Sequence, residues 1–164
     1  MRRTRDFGLW VEPDGDGGLR TGVNEQVIDA RGRFQGVIVS RDGPALDAGA
    51  FLDTMAKLVR DHLEQAGYEG PFSIDGFEYE SVTGSCLLMP LGEINARRTF
   101  GMVAHALVNR VARPLWGQDP GPVALRFGRA GEPDTHETRL PLLGAADEPL
   151  MHAWLERVPV AETE

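Results

Sequence analysis

Two strand–turn–strand patterns constrain the fold of this chain more than any other feature of its sequence. The first consists of apolar-rich strands at 7–12 and 19–28, separated by the turn-forming stretch PDGDGG. The second consists of a strand over 72–79, adjusted near Gly76, and the apolar run CLLMPLGEIN, in which Pro90 indicates a sheet edge or an irregularity. Strands this close in sequence are expected to pair as antiparallel hairpins.

A helical period of 3.6 residues follows each hairpin. Over 47–66 the apolar residues fall on one stripe, with Asp47 as the predicted N-cap and Gly67 just beyond the end. Over 99–113 a second apolar stripe predicts another helix, which Pro114 is expected to end. Hairpins that alternate with helices predict an α+β fold of antiparallel β-hairpins packed with helices, rather than a doubly wound parallel sheet.

The remaining segments carry weaker patterns. The Gly- and Arg-rich stretch 29–44 predicts a loop with at most a short strand. Apolar runs predict strands at 123–127 and 139–143, and the pattern of 149–158 predicts a short terminal helix. A chain of 164 residues has room for one domain with its own core.

Composition and charge exclude several classes of function. The chain has 17 basic and 25 acidic side chains, a net charge of −8, which leaves no basic surplus for a nucleic-acid backbone. A single cysteine, Cys86, excludes an intramolecular disulfide and a zinc site built from cysteines. No apolar run approaches the roughly 18 residues of a membrane span, and the basic N-terminus leads into no apolar signal core. We therefore expect a cytoplasmic protein without nucleic-acid or membrane partners.

Side chains suited to chemistry concentrate in one segment, residues 75–101. Asp75 is predicted on the first strand of the second hairpin, and Glu93 and Asn95 at the end of its second strand. Because Glu93 and Asn95 are two residues apart, they share one face of a strand, with Ile94 on the opposite, core-facing side. Antiparallel pairing can place Asp75 beside them, which brings together two carboxylates and an amide oxygen. Such hard oxygen ligands suit Mg²⁺, with phosphate oxygens and water as its other ligands.

Two arginines, Arg97 and Arg98, follow at the expected start of the second helix. Guanidinium groups and the free N–H groups of a helix N-terminus both bind phosphate oxygens. The segment therefore predicts a site for Mg²⁺ and a phosphorylated ligand. A solvated strand end with surface arginines is the alternative that these residue types leave open.

The strings GYEGPFSIDGFEY and LGEINARRTFG resemble the C-terminal part of the ATP-grasp ligases. In that superfamily a strand Asp or Glu is followed, after a hairpin, by Glu-x-Asn, and these residues hold the magnesium ions that bridge the phosphates of ATP. Glu-Ile-Asn-Ala-Arg followed by Thr-x-Gly resembles one subgroup of the superfamily. The resemblance covers about residues 5–113, and it implies the fold of the ATP-grasp C-terminal subdomain. Residues 114–164 are then a C-terminal extension of unclear role within a single domain, 1–164.

The resemblance implies a role for each candidate residue. Asp75, Glu93 and Asn95 would be the metal ligands. Asn95 and Arg97 would contact the ATP cofactor, and Arg97 and Arg98 would be the catalytic contacts to phosphate or substrate. The implied reaction activates a carboxylate as an acyl phosphate, which an amine captures to give an amide-type product, ADP and phosphate.

The chain also departs from the family pattern. Full ATP-grasp ligases carry an N-terminal domain and a small lid ahead of this region, with lysines that bind the α- and β-phosphates. Here few residues precede the first hairpin, and the only lysine is Lys57, in the first predicted helix. Ser73 stands where some relatives carry an arginine. We therefore expect a ligase fragment that is incomplete alone, either an excerpt of a longer protein or the partner of a second polypeptide with the missing half.

A second interpretation is a non-catalytic binding or assembly module derived from the same fold. In that case the surface that the missing parts would cover meets a partner or a second copy of the chain in a homo-oligomer. Mg²⁺-dependent nucleotide binding distinguishes the two interpretations, because only the ligase fragment requires it.

Overall fold

One antiparallel sheet carries all of the strands in the part of the chain that the computed structural model describes, residues 2–40, 49–129, 138–143 and 151–159. In chain order the strands are β1 (Arg2–Pro13), β2 (Leu19–Ile28), β3 (Phe34–Val39), β4 (Phe72–Glu80), β5 (Cys86–Asn95), β6 (Val123–Arg129), β7 (Arg139–Leu143) and β8 (Met151–Arg157). Their order across the sheet is β5-β4-β1-β2-β3-β6-β8-β7. The predicted α+β fold of antiparallel hairpins packed with helices is confirmed.

Two helical stretches pack on opposite faces of this sheet. The first is followed by Gly67, whose φ of 82° lies in the left-handed region that glycine adopts readily. Asp47, its predicted N-cap, lies outside the described residues.

None of the described helices has the length and apolar composition needed to cross a membrane. The helical segments are α1 (Gly49–Gln65), α2 (Phe100–Leu107), a π-helical segment (Val108–Ala112) and α3 (Arg113–Trp116).

The first core lies between α1 and the sheet. Alternate residues of β1, namely Phe7, Leu9 and Val11, point to α1 and are almost fully buried. They pack with Leu52, Ala56, Val59, Phe72 and Ile74. Since successive strand residues face opposite sides, Gly8 and Trp10 face the other side of the sheet.

The second core lies on that other side, beneath α2 and the π-helical segment. Helical residues Ala104, Val108 and Ala112 pack against β3, β6 and β8, through Val37, Val39, Val123, Leu125 and Leu155. This cluster covers only the β3–β6–β8 part of the face. The same face of β5, β4, β1 and β2 is left open beside the N-terminus of α2, and a cleft forms there.

β3 is longer and more central than the pattern of 29–44 predicts. It pairs with β2 on one side and with β6 on the other. Gly36 permits close strand approach, because a Cβ added there would collide with the carbonyl oxygen of Leu125. Glycine and arginine favour loops locally, but pairing on both sides overrides that preference.

The terminal helix predicted over 149–158 is wrong, because residues 151–157 form β8 between β6 and β7. Ala153 and Leu155 are buried and two residues apart, which is the period of a strand. An apolar run of this length is compatible with a helix or with a strand. Here pairing with β6 on one side and β7 on the other stabilises the strand. Residues 149–150 lie outside the described residues.

The prediction that Pro114 ends the second helix is also wrong. Helical structure continues to Trp116, and Pro114 lies in the first turn of α3. Proline donates no hydrogen bond, and in a regular α-helix its ring clashes with the carbonyl four residues back. The π-helical segment directly before it has a wider turn, in which the N–H of Arg113 donates to Val108, five residues back.

β5 is an edge strand, as Pro90 indicates. Ile94 is correctly predicted on the side away from Glu93 and Asn95, but it is not buried in a core and remains 39% exposed. The reason is the edge position, where no strand flanks β5 on its outer side among the described residues.

Candidate functional site

β4 and β5 place the predicted metal ligands beside one another. Asp75 and Glu93 are register partners in the antiparallel pair, and Ser73 is the partner of Asn95. All four residues line the open cleft. The structure thus brings together the two carboxylates and the amide that the hairpin pattern predicts.

A bulge next to Asp75 sets this register. Between the pairs Asp75–Glu93 and Phe77–Met89, three residues of β5 oppose Gly76 alone. A Cβ added to Gly76 would collide with the ring of Phe7 and lie 2.7 Å from the carbonyl oxygen of Met89. Glycine is therefore required here. The bulge shifts Glu93 along the cleft face, from the position opposite Ser73 that a regular pairing would give it to the position opposite Asp75.

Both carboxylate oxygens of Asp75 accept hydrogen bonds. Gln26 Nε2 donates to Oδ1 over 2.9 Å, and Asn95 Nδ2 donates to Oδ2 over 3.0 Å. Gln26 reaches across β1 because Gly8, the β1 residue paired with Asp75, has no side chain to intervene. Asn95 Oδ1 in turn accepts from Arg97 Nη2 over 3.2 Å. These contacts fix the orientation of Asp75 before any ligand binds.

The electrostatics of the pair favour a cation. Burial raises the pKa of Asp75 above its ordinary value, and the nearby charge of Glu93 raises it further. The hydrogen bonds from Gln26 and Asn95 and the charge of Arg97 lower that pKa in part. A positive ion between the two carboxylates would remove their mutual repulsion and favour the ionised forms.

The structure separates the two predicted arginines. Arg97 lines the cleft and contacts Asn95. Arg98 Nη2 instead forms an ion pair with Glu12 Oε1 at 2.7 Å, and Arg98 is not among the residues that line the cleft. Arg97 is thus placed for contact with a ligand, and the catalytic role of Arg98 stays a prediction.

The cleft has a volume of about 340 Å³, within the range of small-molecule sites. It is formed by five strands and the start of α2. Its lining combines carboxylate, amide, hydroxyl, guanidinium and aromatic groups, from Gly8, Asn24, Gln26, Phe34, Val37, Ser73, Asp75, Glu93, Asn95, Arg97, Thr99, Phe100 and Gly101.

Asn24 fixes the distance between α2 and the sheet. It is 3% exposed, and its side chain lies between Gly8 and Gly101. A Cβ added to Gly101 would collide with Asn24 Oδ1, and one added to Gly8 would lie 3.2 Å from Asn24 Nδ2. The first turn of α2 can therefore approach β2 closely and open onto the cleft.

Several lining residues were missed by sequence reasoning. Asn24 and Gln26 are polar residues two apart in β2, so their shared face could have been inferred from the strand period. Phe34 lies in a segment predicted to be mainly loop, and Phe100 follows the arginines without a motif of its own. Ser73 departs from the family pattern, and no sequence motif assigns it a role.

The ligand set matters for the choice of metal. Within the described ranges, no group of three or more His, Cys, Asp and Glu side chains could hold a metal ion. The candidate set is instead two carboxylates and one amide oxygen, which are ligands that Mg²⁺ accepts together with water and phosphate oxygens.

The sequence matches no protein-family model and no curated protein. The structure is similar to an ATP-grasp superfamily protein from Archaeoglobus fulgidus, with a TM-score of 0.55 and 18% identity over 97% of this chain and 47% of that one. It is also similar to N5-carboxyaminoimidazole synthetase from Staphylococcus aureus complexed with ADP, with a TM-score of 0.58 and 12% identity over 96% and 47%.

A third similar structure is the biotin carboxylase domain of 2-oxoglutarate carboxylase from Hydrogenobacter thermophilus, solved with MgADP, ADP and bicarbonate. Its TM-score is 0.51, with 12% identity over 94% of this chain and 42% of that one. The fold of this chain is therefore of the ATP-grasp type. The chain spans slightly less than half the length of these proteins.

Proposed function

We propose that the chain is the Mg²⁺- and nucleotide-binding part of an ATP-dependent carboxylate–amine ligase, of the ATP-grasp subgroup with the Glu-Ile-Asn-Ala-Arg motif. The observation that carries the proposal is the Asp75–Glu93 register pair, joined by Asn95 at one cleft of an ATP-grasp-type fold. Two of the similar proteins are described with ADP or MgADP, which supports a nucleotide as the ligand class.

The residues present fit a magnesium ion. Asp75 and Glu93 supply opposed carboxylates in a partly buried position, where burial and then the charge of Glu93 raise the pKa of Asp75. Asn95 engages Asp75 through its amide nitrogen, so its Oδ1 is the atom that could turn from Arg97 to a cation. Bound there, Mg²⁺ would neutralise charge on the phosphates of the nucleotide.

The proposed reaction is the one that the resemblance to ATP-grasp ligases implies. A carboxylate oxygen attacks the γ-phosphorus of ATP, the bond to the bridging oxygen breaks, and ADP leaves. An amine nitrogen then attacks the acyl carbon, the bond to the phosphate oxygen breaks, and phosphate leaves as the nitrogen loses a proton. Within this chain, Arg97 would stabilise the charge of the transferred group, and Asn95 would orient Asp75.

A second polypeptide, or a further segment of a longer protein, would complete the site. The chain spans about half of the similar structures, and its sequence holds one lysine, Lys57, on α1. α1 packs on the face opposite the cleft, so Lys57 is unsuited to contact phosphates there. Phosphoryl transfer depends on cationic positioning groups, which a basic partner surface would provide.

Calorimetric titration with ADP, in Mg²⁺ and in EDTA, tests the proposal. We expect binding that requires Mg²⁺ and that Glu93→Gln abolishes, because the substitution removes one ligand charge. Glu69→Gln, on an exposed residue away from the cleft, is the matched control and should bind as wild type does. Mg²⁺-independent binding, or equal binding by Glu93→Gln, would refute the metal assignment.

The assembly module remains a second candidate because of the edge strand β5. Its residues Leu87, Met89, Leu91 and Ile94 are large, apolar and exposed on an unpaired edge of the described sheet. Such edges favour association with another chain. Sedimentation velocity and the calorimetric titration, both on wild type and Leu91→Lys, distinguish the candidates. An assembly module should lose its oligomeric state in Leu91→Lys, which sedimentation velocity measures. A ligase fragment should keep its nucleotide binding in this variant, which the titration measures.

A further inference from the structure

Ser73 has a buried hydroxyl group without a hydrogen-bond partner. The residue is 2% exposed, and its Oγ makes no hydrogen bond within the part of the chain that the structure describes. Leaving a buried hydroxyl unpaired is unfavourable, and most such groups in folded proteins have a partner. Because Ser73 lines the cleft, a group bound there can supply the missing contact.

The polar neighbours of Ser73 on β4 and β5 direct their side chains to other residues. Asn95, opposite Ser73 in β5, donates from Nδ2 to Asp75 and accepts at Oδ1 from Arg97. Asp75, two residues along β4, accepts hydrogen bonds from Gln26 and Asn95. Neither of these neighbours is hydrogen-bonded to the Ser73 hydroxyl.

The neighbour of Ser73 on the other side, in β1, is Trp10. The indole of Trp10 extends towards β2, since a Cβ added to Gly22 would lie 2.6 Å from Nε1. Trp10 Nε1 is therefore turned away from β4, and it is itself without a partner among the described residues. With both cross-strand neighbours directed elsewhere, the partner of the Ser73 hydroxyl is to be sought in a bound group.

Ser73 shares one face of the hairpin with the predicted metal ligands. Ser73 and Asp75 alternate along β4, and their register partners Asn95 and Glu93 alternate along β5. Directly opposed side chains have Cβ atoms about 4.5–5.5 Å apart. A hydroxyl that is bonded to a water on Mg²⁺ lies within about 5 Å of the ion. Ser73 is therefore within reach of a water on an ion held by its neighbours.

The coordination of Mg²⁺ leaves room for such a water. The ion is octahedral and usually keeps several waters, and the candidate ligands Asp75, Glu93 and Asn95 do not fill an octahedron when each binds through one oxygen. A water on a metal ion directs its hydrogens away from the ion, and a hydroxyl oxygen can accept one of them. Ser73 can make this contact without adding charge to the site.

We infer that Ser73 is a positioning residue for the proposed Mg²⁺ site, in which its Oγ accepts a hydrogen bond from a water ligand of the ion. The inference rests on the proposed function, in which the ion binds at Asp75 and Glu93. Contacts of this kind hold the ligands of a metal in one orientation, and their loss typically lowers metal affinity about 10–100-fold. Ser73 thus contributes to Mg²⁺ binding although it does not touch the ion.

Urea unfolding of the full chain over a titration with MgCl₂ tests the inference. A ligand of the folded state raises the free energy of unfolding, so the titration measures the affinity for Mg²⁺ alone, with NaCl at matched ionic strength as the reference. In EDTA, Ser73→Ala should be at least as stable as wild type, since its hydroxyl has no partner to lose. In MgCl₂, the variant should need about tenfold more Mg²⁺ than wild type for the same rise.

Two further variants separate this contact from a packing role. Ser73→Cys keeps the shape of the side chain but replaces the oxygen by a weakly accepting sulfur, so it should lose Mg²⁺ affinity as Ser73→Ala does. Ser85→Ala, the same change on an exposed residue at the other end of the hairpin, is the matched control and should bind Mg²⁺ as wild type does. A packing role would instead lower the stability of Ser73→Ala equally in EDTA and in MgCl₂. That result, or wild-type Mg²⁺ affinity in Ser73→Ala, overturns the inference.

The inference and the proposed function fail in different ways. If Glu93→Gln abolishes the response to Mg²⁺ and Ser73→Ala does not weaken it, the metal site stands and the role of Ser73 is wrong. If wild type shows no response to Mg²⁺, the metal assignment of the proposed function is wrong, and the role of Ser73 is overturned with it.

Discussion

Asp75 and Glu93 lie directly opposite each other in the β4–β5 pair, so that two carboxylates meet at one side of an open cleft. Like charges in directly opposed positions destabilise an antiparallel sheet. The pair is therefore unfavourable in the free protein and becomes favourable when a cation binds between its members.

Glu93→Gln should stabilise the free protein and remove its response to Mg²⁺. Relief of the cross-strand repulsion raises the free energy of unfolding by about 0.2–1 kcal/mol. At a Mg²⁺ concentration ten times the dissociation constant, the free energy of unfolding of wild type should rise by about 1.4 kcal/mol, and that of the variant should not change. Urea unfolding with Mg²⁺ or EDTA measures both effects. A variant that is stabilised by Mg²⁺ as wild type is would contradict the site.

Arg97→Ala and Arg98→Ala should differ in ligand binding. Loss of Arg97, which lines the cleft, should weaken MgADP binding about tenfold or more, because a charge-assisted contact is lost. Loss of Arg98, whose exposed side chain pairs with Glu12, should leave binding unchanged and cost at most about 1 kcal/mol of stability. Calorimetry and thermal unfolding of both variants test this, and equal losses of affinity would show that the arginines act together.

Gly101→Ala should destabilise the protein, although alanine is the better helix former. The added methyl collides with Asn24 Oδ1, and overpacking of this kind costs about 1–3 kcal/mol. In an Asn24→Ala background the obstacle is absent, and the same substitution should stabilise by up to about 1 kcal/mol. A double-mutant cycle by urea unfolding measures the coupling, and additive effects would mean that α2 shifts freely on the sheet.

His105 should make stability depend on pH. Burial lowers the pKa of His105 below its ordinary value, the contact between Nε2 and the carbonyl oxygen of Val23 raises it in part, and the charge of Arg113 lowers it. The unfolded chain therefore binds a proton more readily than the folded one. The contribution of neutral His105 to the free energy of unfolding is fully present above the unfolded pKa of about 6.5. At lower pH this contribution falls, by up to about 1.4 kcal/mol per pH unit.

His105→Gln removes this titration, so its unfolding free energy should fall less than that of wild type between pH 7.5 and pH 5.5. Chemical unfolding at both pH values gives the difference. His62→Gln, on the exposed surface of α1, is the control and should follow wild type. Equal pH dependence in His105→Gln and wild type would show that the imidazole is not buried in solution.

The sequence patterns predict the two hairpins, the first helix and the α+β class correctly, because each of these elements is governed by local periodicity. The proximity of Asp75 to Glu93 and Asn95 is predictable for the same reason, since one hairpin contains all three residues. Their exact register is not, because it depends on the bulge at Gly76. The predicted roles of the site residues stay predictions.

The failures have a different cause. β8 was predicted to be helical, and its strand conformation depends on β6 and β7, whose pairing is not visible in the local pattern. The helix beyond Pro114 depends on a π-helical segment that no single residue type indicates. The contact between Phe34 and Phe100 joins parts of the chain that are distant in sequence, so it could not be inferred from residue spacing.

The origin of all three predicted metal ligands in one hairpin has a consequence for the order of assembly. The short β4–β5 connection has a small entropic cost of loop closure, and hairpins form within about 1–10 μs. Asn24, Phe34 and Phe100 reach the cleft only after strands distant in sequence have paired, which is a slower process. We therefore expect Asp75, Glu93 and Asn95 to gain their relative geometry early in folding, and the part of the cleft lined by Phe34 and Phe100 to be completed last.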